Sequence, residues 1–320
     1  MSVLPYKDRR VEPVVSYPLT LRSIKYSSGS NNKMKQLRSI RKEFNARRKA
    51  KIAFSHPILP PVLIYQMGKV GSSTIHRSLL DTTHADQVLK LHFLSHDLPN
   101  RKRKYKKAGR YPYVDHVYLG VSTRRILNKY KDKPIKIISL LRDPIAIVIS
   151  ALFQNPHLAK KSITTDRGGI DPVKATDYIN HMLHNPDTFS YIYGWFDKEL
   201  KTVFDIDVFA NPFPVKAGHT LYTKDNAEAL VIRLEDLSEK GPEAISAFLC
   251  LEKPLKLQKG NLRSDSKSAE AYNEVLREIY LSPALCQEIY SSRFVKHFYS
   301  EKMIQEFMLK WTKSDSDKVI

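Results

Sequence analysis

The chain has 320 residues, with 53 Lys or Arg against 33 Asp or Glu, so its formal net charge is +20. A chain of this length can bury a large core, and we expect one α/β domain with an extension. The positive charge favours polyanions, acidic glycans and anionic membrane surfaces as partners. The sequence contains no zinc-ligand spacing, basic zipper or RNA-binding aromatic signature, so we expect no nucleic-acid partner.

The first 55 residues form a basic extension, with 14 Lys or Arg against 3 Asp or Glu. Residues 33–51 predict a basic helix that carries Leu37, Ile40 and Phe44 on one face. We favour a solvated helix that docks on the domain through these three side chains. The alternative is an arm that binds a membrane surface or a partner. The predicted organisation is a partly helical extension at 1–55 and an α/β domain at 56–320.

The segment Ile64-Tyr-Gln-Met-Gly-Lys-Val-Gly-Ser-Ser-Thr-Ile75 leads from an apolar strand into a helix predicted at 72–81. Glycines let the backbone approach a ligand, and the first amides of a helix attract anions. We therefore predict a phosphate or phosphosulfate site formed by Gly68, Lys69, Val70, Gly71, Ser72, Ser73 and Thr74. The standard ATP loop places lysine after the second glycine, whereas Lys69 precedes Gly71. The alternative is an ordinary glycine-containing turn with a surface lysine.

The next predicted elements are a strand at 87–94, a basic segment at 101–107 and a helix at 113–131. The basic segment has six Lys or Arg in seven residues. Such a run is typical of a solvated loop, although it could also guide an anionic acceptor.

A second candidate anion site follows a buried strand predicted at 135–141. Arg142 stands at the carboxyl end of this strand, where open α/β sheets bind ligands. Pro144 suits the first turn of a helix, and Ser150 lies about two turns further on. Arg142 and Ser150 could therefore reach one phosphate. The alternative is an arginine that caps the helix and a serine packed inside it.

Beyond residue 170 the chain predicts mostly helix, with a strand at 229–234 and a Pro/Gly-rich loop at 211–219. Strands that alternate with helices imply a parallel sheet. The predicted fold is α/β, with a P-loop-like central parallel sheet flanked by helices and a largely helical C-terminal half. Cys250 and Cys286 have apolar neighbours and predict buried thiols, which favours a reducing compartment.

The two anion motifs, in this order, resemble the phosphosulfate loop and the 3′-phosphate element of sulfotransferases that use 3′-phosphoadenosine-5′-phosphosulfate (PAPS). About residues 60 to 310 are similar to the bacterial branch of that superfamily labelled capsular polysaccharide synthesis proteins. The resemblance implies PAPS as donor, and Asn261 and Lys267 as residues that close over the nucleotide. Asp205 departs from the family pattern, where glycine is expected. The segments that carry the wider resemblance are 88–95, 195–213, 230–237 and the Asn261-Lys267-Tyr272 spacing.

Sulfuryl transfer needs a base for the acceptor hydroxyl and a cation for the leaving phosphate. We assign the cation to Lys69 and the base to His92, whose place at the end of a strand resembles the base of some glycan O-sulfotransferases. His96 is the reserve base, and a core histidine bonded to backbone is the alternative for His92. His76 and His84 are predicted to face solvent.

The leading hypothesis is a sulfotransferase that acts on a carbohydrate, most simply a polysaccharide, without a metal. One alternative is a P-loop kinase or phosphotransferase, for which Asp143 would be the candidate Mg²⁺ ligand. The other is a non-catalytic basic protein that binds polyanions. The sequence has no apolar run of about 18 residues and no secretory signal. We therefore expect a cytoplasmic protein, with peripheral contact to an anionic membrane surface as a further expectation.

Overall fold

The computed structural model describes residues 30–98, 100, 115–130, 133–154, 163–165, 169–258 and 269–312. The basic segment at 101–107 and the predicted nucleotide-binding residues Asn261 and Lys267 lie outside these ranges.

The elements alternate between strand and helix in the first half, and helices dominate the second half. The strands are β1 (Val62–Tyr65), β2 (Val88–Leu91), β3 (Ile135–Leu141), β4 (His219–Lys224) and β5 (Ala227–Arg233). The helices before β4 are α1 (Ser30–Ala53), α2 (Ser72–Leu79), α3 (Asp115–Leu127), α4 (Pro144–Gln154), α5 (Pro172–Leu183) and α6 (Asp187–Tyr193), followed by a π-helical turn (Phe196–Lys201). The helices after β5 are α7 (Leu237–Leu249), α8 (Ala269–Glu278), α9 (Pro283–Tyr290), α10 (Arg293–Phe298) and α11 (Glu301–Thr312).

The strands form one sheet in the order β2-β1-β3-β5-β4. The first four strands in that order are mutually parallel, and β4 runs antiparallel to β5 at the edge. Strand β1 is buried along its whole length. Its continuous apolar run fits this position, because strands in the middle of a parallel sheet are covered on both faces. The predicted α/β fold with a central parallel sheet is confirmed, and so is the helical C-terminal half.

Strand β4 is missing from the sequence prediction, which placed only a strand at 229–234 in this region. As an edge strand, β4 mixes half-buried with exposed positions and shows no continuous apolar run. The sequence signal is the pair Asp225-Asn226 between the two strands. Asp225 has φ 49, the left-handed conformation that tight hairpin turns need and that Asp tolerates.

The strand order of the sheet reverses at β1. The chain passes from β1 to β2 on one side, and then from β2 to β3 on the other side of β1. Open α/β sheets bind ligands at such a switch point. The predicted anion loop follows β1, and Arg142 follows β3, so both lie at the carboxyl edge of the sheet at this switch point.

Helix α1 docks on the domain, but the predicted docking face is wrong. Leu37, Ile40 and Phe44 are 65%, 60% and 65% exposed. The buried face instead carries small side chains, among them Ala46, Ala50 and Ala53. Small residues let α1 approach the body closely, which the larger side chains would prevent.

Cys286 is buried as predicted, whereas Cys250 is exposed. Cys250 has φ 53 at the end of α7, where the chain leaves the helix at the surface. Among the helices of the described ranges, none combines the length and the hydropathy that crossing a bilayer requires.

Candidate functional site

The loop after β1 turns sharply at two positions. Lys69 has φ 70 and Gly71 has φ 92, both in the left-handed region. For a residue other than glycine this conformation costs of order 1–3 kcal/mol, and such strain clusters at functional sites. Gly71 is the N-cap of α2 and provides no side chain that could bond the first amides of the helix. These amides lie at the positive end of the helix dipole, which favours an anion.

The two glycines of the loop have different surroundings. A Cβ atom on Gly71 would lie 2.6 Å from Leu234 Cδ1, so the fold itself needs glycine there. A Cβ atom on Gly68 would meet no heavy atom within 4 Å. Gly68 therefore borders open space that a ligand could fill.

Arg142 joins the two predicted anion motifs. Its Nη1 donates to the carbonyl of Lys69 at 3.3 Å. The loop is fixed to β3 by a second contact, in which the amide of Leu140 donates to Gln66 Oε1 at 3.1 Å. Adjacent strands β1 and β3 thus bring together segments that lie about 70 residues apart in the chain.

Asp143, directly after Arg142, is a buried structural residue. Its Oδ1 accepts from the amide of Ile145 at 3.0 Å and from the hydroxyl of Tyr290 at 2.9 Å. Its Oδ2 accepts from Trp311 Nε1 at 3.0 Å. Burial raises the pKa of this carboxyl, and these bonds oppose the rise. The carboxylate therefore begins α4 and anchors it to the C-terminal helices, which disfavours Asp143 as a magnesium ligand.

The other described residues predicted to bind PAPS lie in the loop itself, in α2 and in α4. Val70 is buried in the loop, and Ser150 is buried on α4. Ser72, Ser73 and Thr74 are half-buried in the first turn of α2. The sharing of one phosphate by Arg142 and Ser150 stays a prediction.

His92 contacts the same loop from the opposite side. Strand β2 ends at Leu91, earlier than the predicted 94, so His92 lies in the bend that follows the strand. Its Nδ1 is 2.8 Å from the carbonyl oxygen of Gln66. A carbonyl only accepts, so Nδ1 carries the proton and Nε2 keeps a lone pair. Trp195 Nε1 donates to the carbonyl of His92 at 3.1 Å and holds the bend.

A second histidine, His116 on α3, lies beside His92, with ring centroids 4.3 Å apart. Burial, followed by the neighbouring His116, lowers the pKa of His92 to about 3. Burial, followed by the charge of Lys90, lowers the pKa of His116 to about 4. The positive charge of Lys69 also lowers the pKa values of His92 and His116. Both histidines are therefore neutral near pH 7, and Nε2 of His92 has a free lone pair, although a pKa this low makes the ring a weak base until a neighbouring negative charge raises it.

Lys90 adds a cation that the sequence analysis did not assign to the site. Its Nζ lies 3.5 Å from Ser73 Oγ in the first turn of α2. Its pKa is lowered by burial and by the positive charges of Arg77 and Lys49. A bound anion would oppose both causes and raise the pKa of Lys90, so a half-buried lysine among cations favours an anion beside it.

The other histidines are less suited to act as the base. Arg124 on α3 holds His96, with its Nη2 3.2 Å from Nδ1 and 3.4 Å from Nε2 of the ring. His84 is buried, and its Nε2 lies 3.1 Å from the carbonyl oxygen of Leu249. His76 is half-buried. The prediction of a solvent-facing side chain is therefore wrong for His84, whereas His76 is partly exposed.

Glu199, in the π-helical turn, holds the segment after β2. Its Oε2 accepts from the amides of Leu94 and Ser95 at 2.8 and 2.9 Å and from the hydroxyl of Tyr65 at 2.5 Å. Its Oε1 accepts from Ser95 Oγ at 2.9 Å. This buried carboxylate therefore fixes the position of the bend that carries His92. π-Helical turns are frequent near functional sites.

Two charged residues near the end of β5, Arg233 and Glu235, hold the backbone of neighbouring segments in place. Glu235 Oε1 accepts from the amide of Asp143 at 2.9 Å, and burial raises the pKa of Glu235. Arg233 is buried and donates to the carbonyls of Phe298 and Val215 at 3.0 and 2.6 Å. Arg233 is therefore structural.

The residues that sequence analysis missed differ in how visible they are. Lys90 has a local signal, because it interrupts an otherwise apolar strand. His116 and Glu199 have none, since their contacts join distant segments. The amide of Leu94, for example, is 105 residues from Glu199.

Residues 169–300 match the model of a family described as "NKWYS: Putative capsular polysaccharide synthesis protein". The matched part extends from α5 to α10, and the anion loop, His92 and Arg142 precede it. No curated protein and no solved structure gives a significant match to the chain.

Proposed function

We propose that the protein transfers the sulfuryl group of PAPS to a hydroxyl of a carbohydrate. One observation carries the proposal: the loop at 66–71 is bonded by Arg142 on one side and by His92 on the other. An anion at this loop lies between a permanent cation and a neutral base. That arrangement suits a reaction in which an anionic group moves to an acceptor that must lose a proton.

Donor binding uses the positive groups at the ends of β1, β2 and β3. Lys69, Lys90 and the first amides of α2 neutralise the 5′-phosphosulfate. Arg142 and Ser150 take the 3′-phosphate, and the family resemblance assigns Asn261 and Lys267, outside the described residues, to the nucleotide. PAPS has phosphate groups at both ends of one nucleoside, which two separate anion elements can serve.

The transfer step is an in-line displacement at sulfur. His92 Nε2 removes the proton of the acceptor hydroxyl, and the acceptor oxygen forms a bond to sulfur. The bond between sulfur and the bridging phosphate oxygen breaks, and its electrons stay on that oxygen. Lys69 stabilises the developing negative charge, as cations do in phosphoryl transfer. The products are a sulfate ester and adenosine 3′,5′-bisphosphate.

A polysaccharide acceptor is supported by the family match, whose description refers to capsular polysaccharide synthesis. The net charge of +20 supports an acidic acceptor, because it attracts polyanions.

Calorimetric titration with adenosine 3′,5′-bisphosphate, and with ATP in the presence and absence of Mg²⁺, tests the donor. We expect the bisphosphate to bind without Mg²⁺ and more tightly than ATP. Tighter binding of ATP with Mg²⁺ would favour a kinase or phosphotransferase. Binding of heparin without either nucleotide would favour a non-catalytic polyanion-binding protein. Release of the bisphosphate from PAPS in the presence of polysaccharides then tests the transfer.

The two loop glycines provide a matched pair of variants. Gly68→Ala places a methyl group in open space, so it should weaken bisphosphate binding and leave the melting temperature unchanged. Gly71→Ala should lower the melting temperature, because the left-handed φ and Leu234 both oppose a side chain. Unchanged nucleotide affinity in Gly68→Ala would place the ligand elsewhere.

A further inference from the structure

The outward face of helix α1 combines large apolar side chains with cations. Leu37, Ile40 and Phe44 are 65%, 60% and 65% exposed. Arg41 and Arg48 are also exposed. They share this face because Arg41 follows Leu37 by four residues and Arg48 follows Phe44 by four residues, and residues at this spacing align on a helix. We define the outward face of α1 as Leu37, Ile40, Arg41, Phe44, Arg48 and Lys51.

The opposite face of α1 is fixed to the protein body. Ser39 Oγ forms a hydrogen bond with the hydroxyl of Tyr118, and Lys42 Nζ lies 2.9 Å from the carboxylate of Asp115. Directly after the helix, the ring of Phe54 packs edge-to-face on the ring of Tyr130, with the ring centroids 4.9 Å apart. The outward face therefore has a defined orientation.

The charges of this helix select the occupant of the face. Residues 37–53 contain one acidic residue, Glu43, and its carboxylate is 2.9 Å from Arg47. The exposed cations are Arg38, Arg41, Arg47, Arg48, Lys49 and Lys51. A second copy of the helix would bring like charges together, whereas an anionic surface would neutralise them. Amphipathic helices with Leu or Phe on one face and Lys and Arg beside it are a type that can lie in the interface of anionic bilayers.

We propose that the outward face of α1 binds an anionic phospholipid surface, with the apolar side chains in the interface and the cations at the headgroups. This inference is independent of the proposed sulfuryl transfer. Lys49 of the same helix acts on the pKa of Lys90, so α1 lies close to the site. The adsorbed protein would hold its site near the bilayer, within reach of a membrane-attached substrate.

Sedimentation of the full chain with vesicles tests the proposal. The vesicles contain phosphatidylcholine alone or equal parts phosphatidylcholine and phosphatidylglycerol. We expect binding only to the anionic vesicles, weakened by salt because exposed charges are screened. Binding to neither type of vesicle, or equal binding to both, would overturn the proposal.

Two variants separate the apolar and the charged contributions. Replacing Arg41, Arg48 and Lys51 by Gln should reduce partitioning roughly a hundredfold, because each cation near an anionic surface contributes about fivefold. The variant Leu37→Ser/Ile40→Ser/Phe44→Ser should reduce it at least about tenfold, since the interface binds apolar area. All six side chains are exposed, and an unchanged circular dichroism spectrum confirms that each variant folds.

The matched control is Val173→Ser/Leu309→Ser, which removes exposed apolar side chains from α5 and α11. Its vesicle binding should equal that of the unmodified chain. Full binding by the Leu37→Ser/Ile40→Ser/Phe44→Ser variant would contradict the proposal. A dimer that this variant converts to a monomer in size-exclusion chromatography would assign the face to a second copy of the chain instead.

Discussion

The two sides of the loop after β1 differ in charge. The donor side, formed by Lys69 and Arg142, carries permanent cations at the ends of β1 and β3. The acceptor side, formed by His92 and His116, is neutral, because burial is the main cause that lowers these pKa values to about 3 and about 4. The difference separates the two tasks of the proposed reaction, which are to hold an anion and to accept a proton.

The two sides also have different buried carboxylates as supports. Asp143 ties the donor side to the C-terminal helices through Tyr290 and Trp311. Glu199 ties the acceptor side to the π-helical turn through the amides of Leu94 and Ser95. Substitutions on each side should therefore have separable effects on donor affinity and on turnover.

The largest expected effect is on the acceptor side. His92→Ala should lower turnover by ~10²–10⁴, because the general base is lost. The affinity for adenosine 3′,5′-bisphosphate should stay the same, since the base contacts the acceptor and not the donor. Steady-state rates and calorimetry measure the two quantities.

His96→Ala is the control for His92→Ala. Its ring rests on Arg124, so the variant should keep its activity. Loss of activity in His96→Ala alone would exchange the two roles. Activity in both variants would place the base on another residue.

On the donor side, Lys69→Ala should lower turnover by ~10²–10³, the usual cost of one donor at a developing charge. The melting temperature should change little, because alanine has about the same left-handed cost as lysine and the Lys69 side chain is only half-buried. Lys302→Ala, on an 86% exposed lysine of α11, is the control. A fully active Lys69→Ala protein would be incompatible with the proposed site.

Arg142→Ala should weaken binding of adenosine 3′,5′-bisphosphate more than binding of 5′-AMP, which lacks the 3′-phosphate. A charge-assisted contact contributes ~1.5–3 kcal/mol, or roughly ten- to a hundredfold in affinity. Arg125→Ala, on an exposed arginine of α3, should leave both affinities unchanged. Equal losses for the two nucleotides would mean that Arg142 acts only through its bond to the loop.

The supporting carboxylates test whether the two sides are independent. Asp143→Asn and Glu199→Gln should each lower the free energy of unfolding by ~1–3 kcal/mol, because an amide group would face protein donors. Asp143→Asn should also weaken bisphosphate binding, and Glu199→Gln should instead reduce turnover at saturating PAPS. Chemical denaturation, calorimetry and rates measure these changes. The same functional loss in both variants would contradict the separation.

The smallest effect concerns the dependence of stability on pH. The folded-state pKa values of His92 and His116 lie below the ordinary value of 6.5. At a pH between the folded-state pKa values and 6.5, the unfolded chain binds more protons than the folded protein. The free energy of unfolding therefore falls as the pH decreases below about 6.5. Each histidine contributes at most about 1.4 kcal/mol per pH unit.

His92→Ala/His116→Ala should therefore reduce the slope of unfolding free energy against pH between about pH 6.5 and pH 5. His181→Ala removes an exposed histidine of α5 and should leave the slope unchanged. Chemical denaturation across this range measures both slopes. An unaltered slope in the double variant would show that the two rings are not buried in the neutral form.

The elements with local signals could be predicted from the amino-acid sequence alone. The apolar run at 135–141 predicts β3, and Gly68 to Thr74 predicts the turn into α2, because each depends on neighbouring residues. The adjacency of the two anion motifs could also be predicted, since parallel strands end at one edge of the sheet. The edge strand β4 escaped prediction because an edge position does not require a continuous apolar run.

The tertiary structure decided which side chains meet and which faces are covered. The carbonyl of Gln66 fixes the tautomer of His92, and α3 places His116 beside its ring. Both contacts join segments that are far apart in the chain. Burial, which lowers its pKa, depends on all the elements packed around it. Helix α1 shows the same limit, because periodicity predicted its apolar stripe but not that Ala46, Ala50 and Ala53 would face the core. A helical pattern specifies which residues share a face, and only the partner surface decides which face is buried.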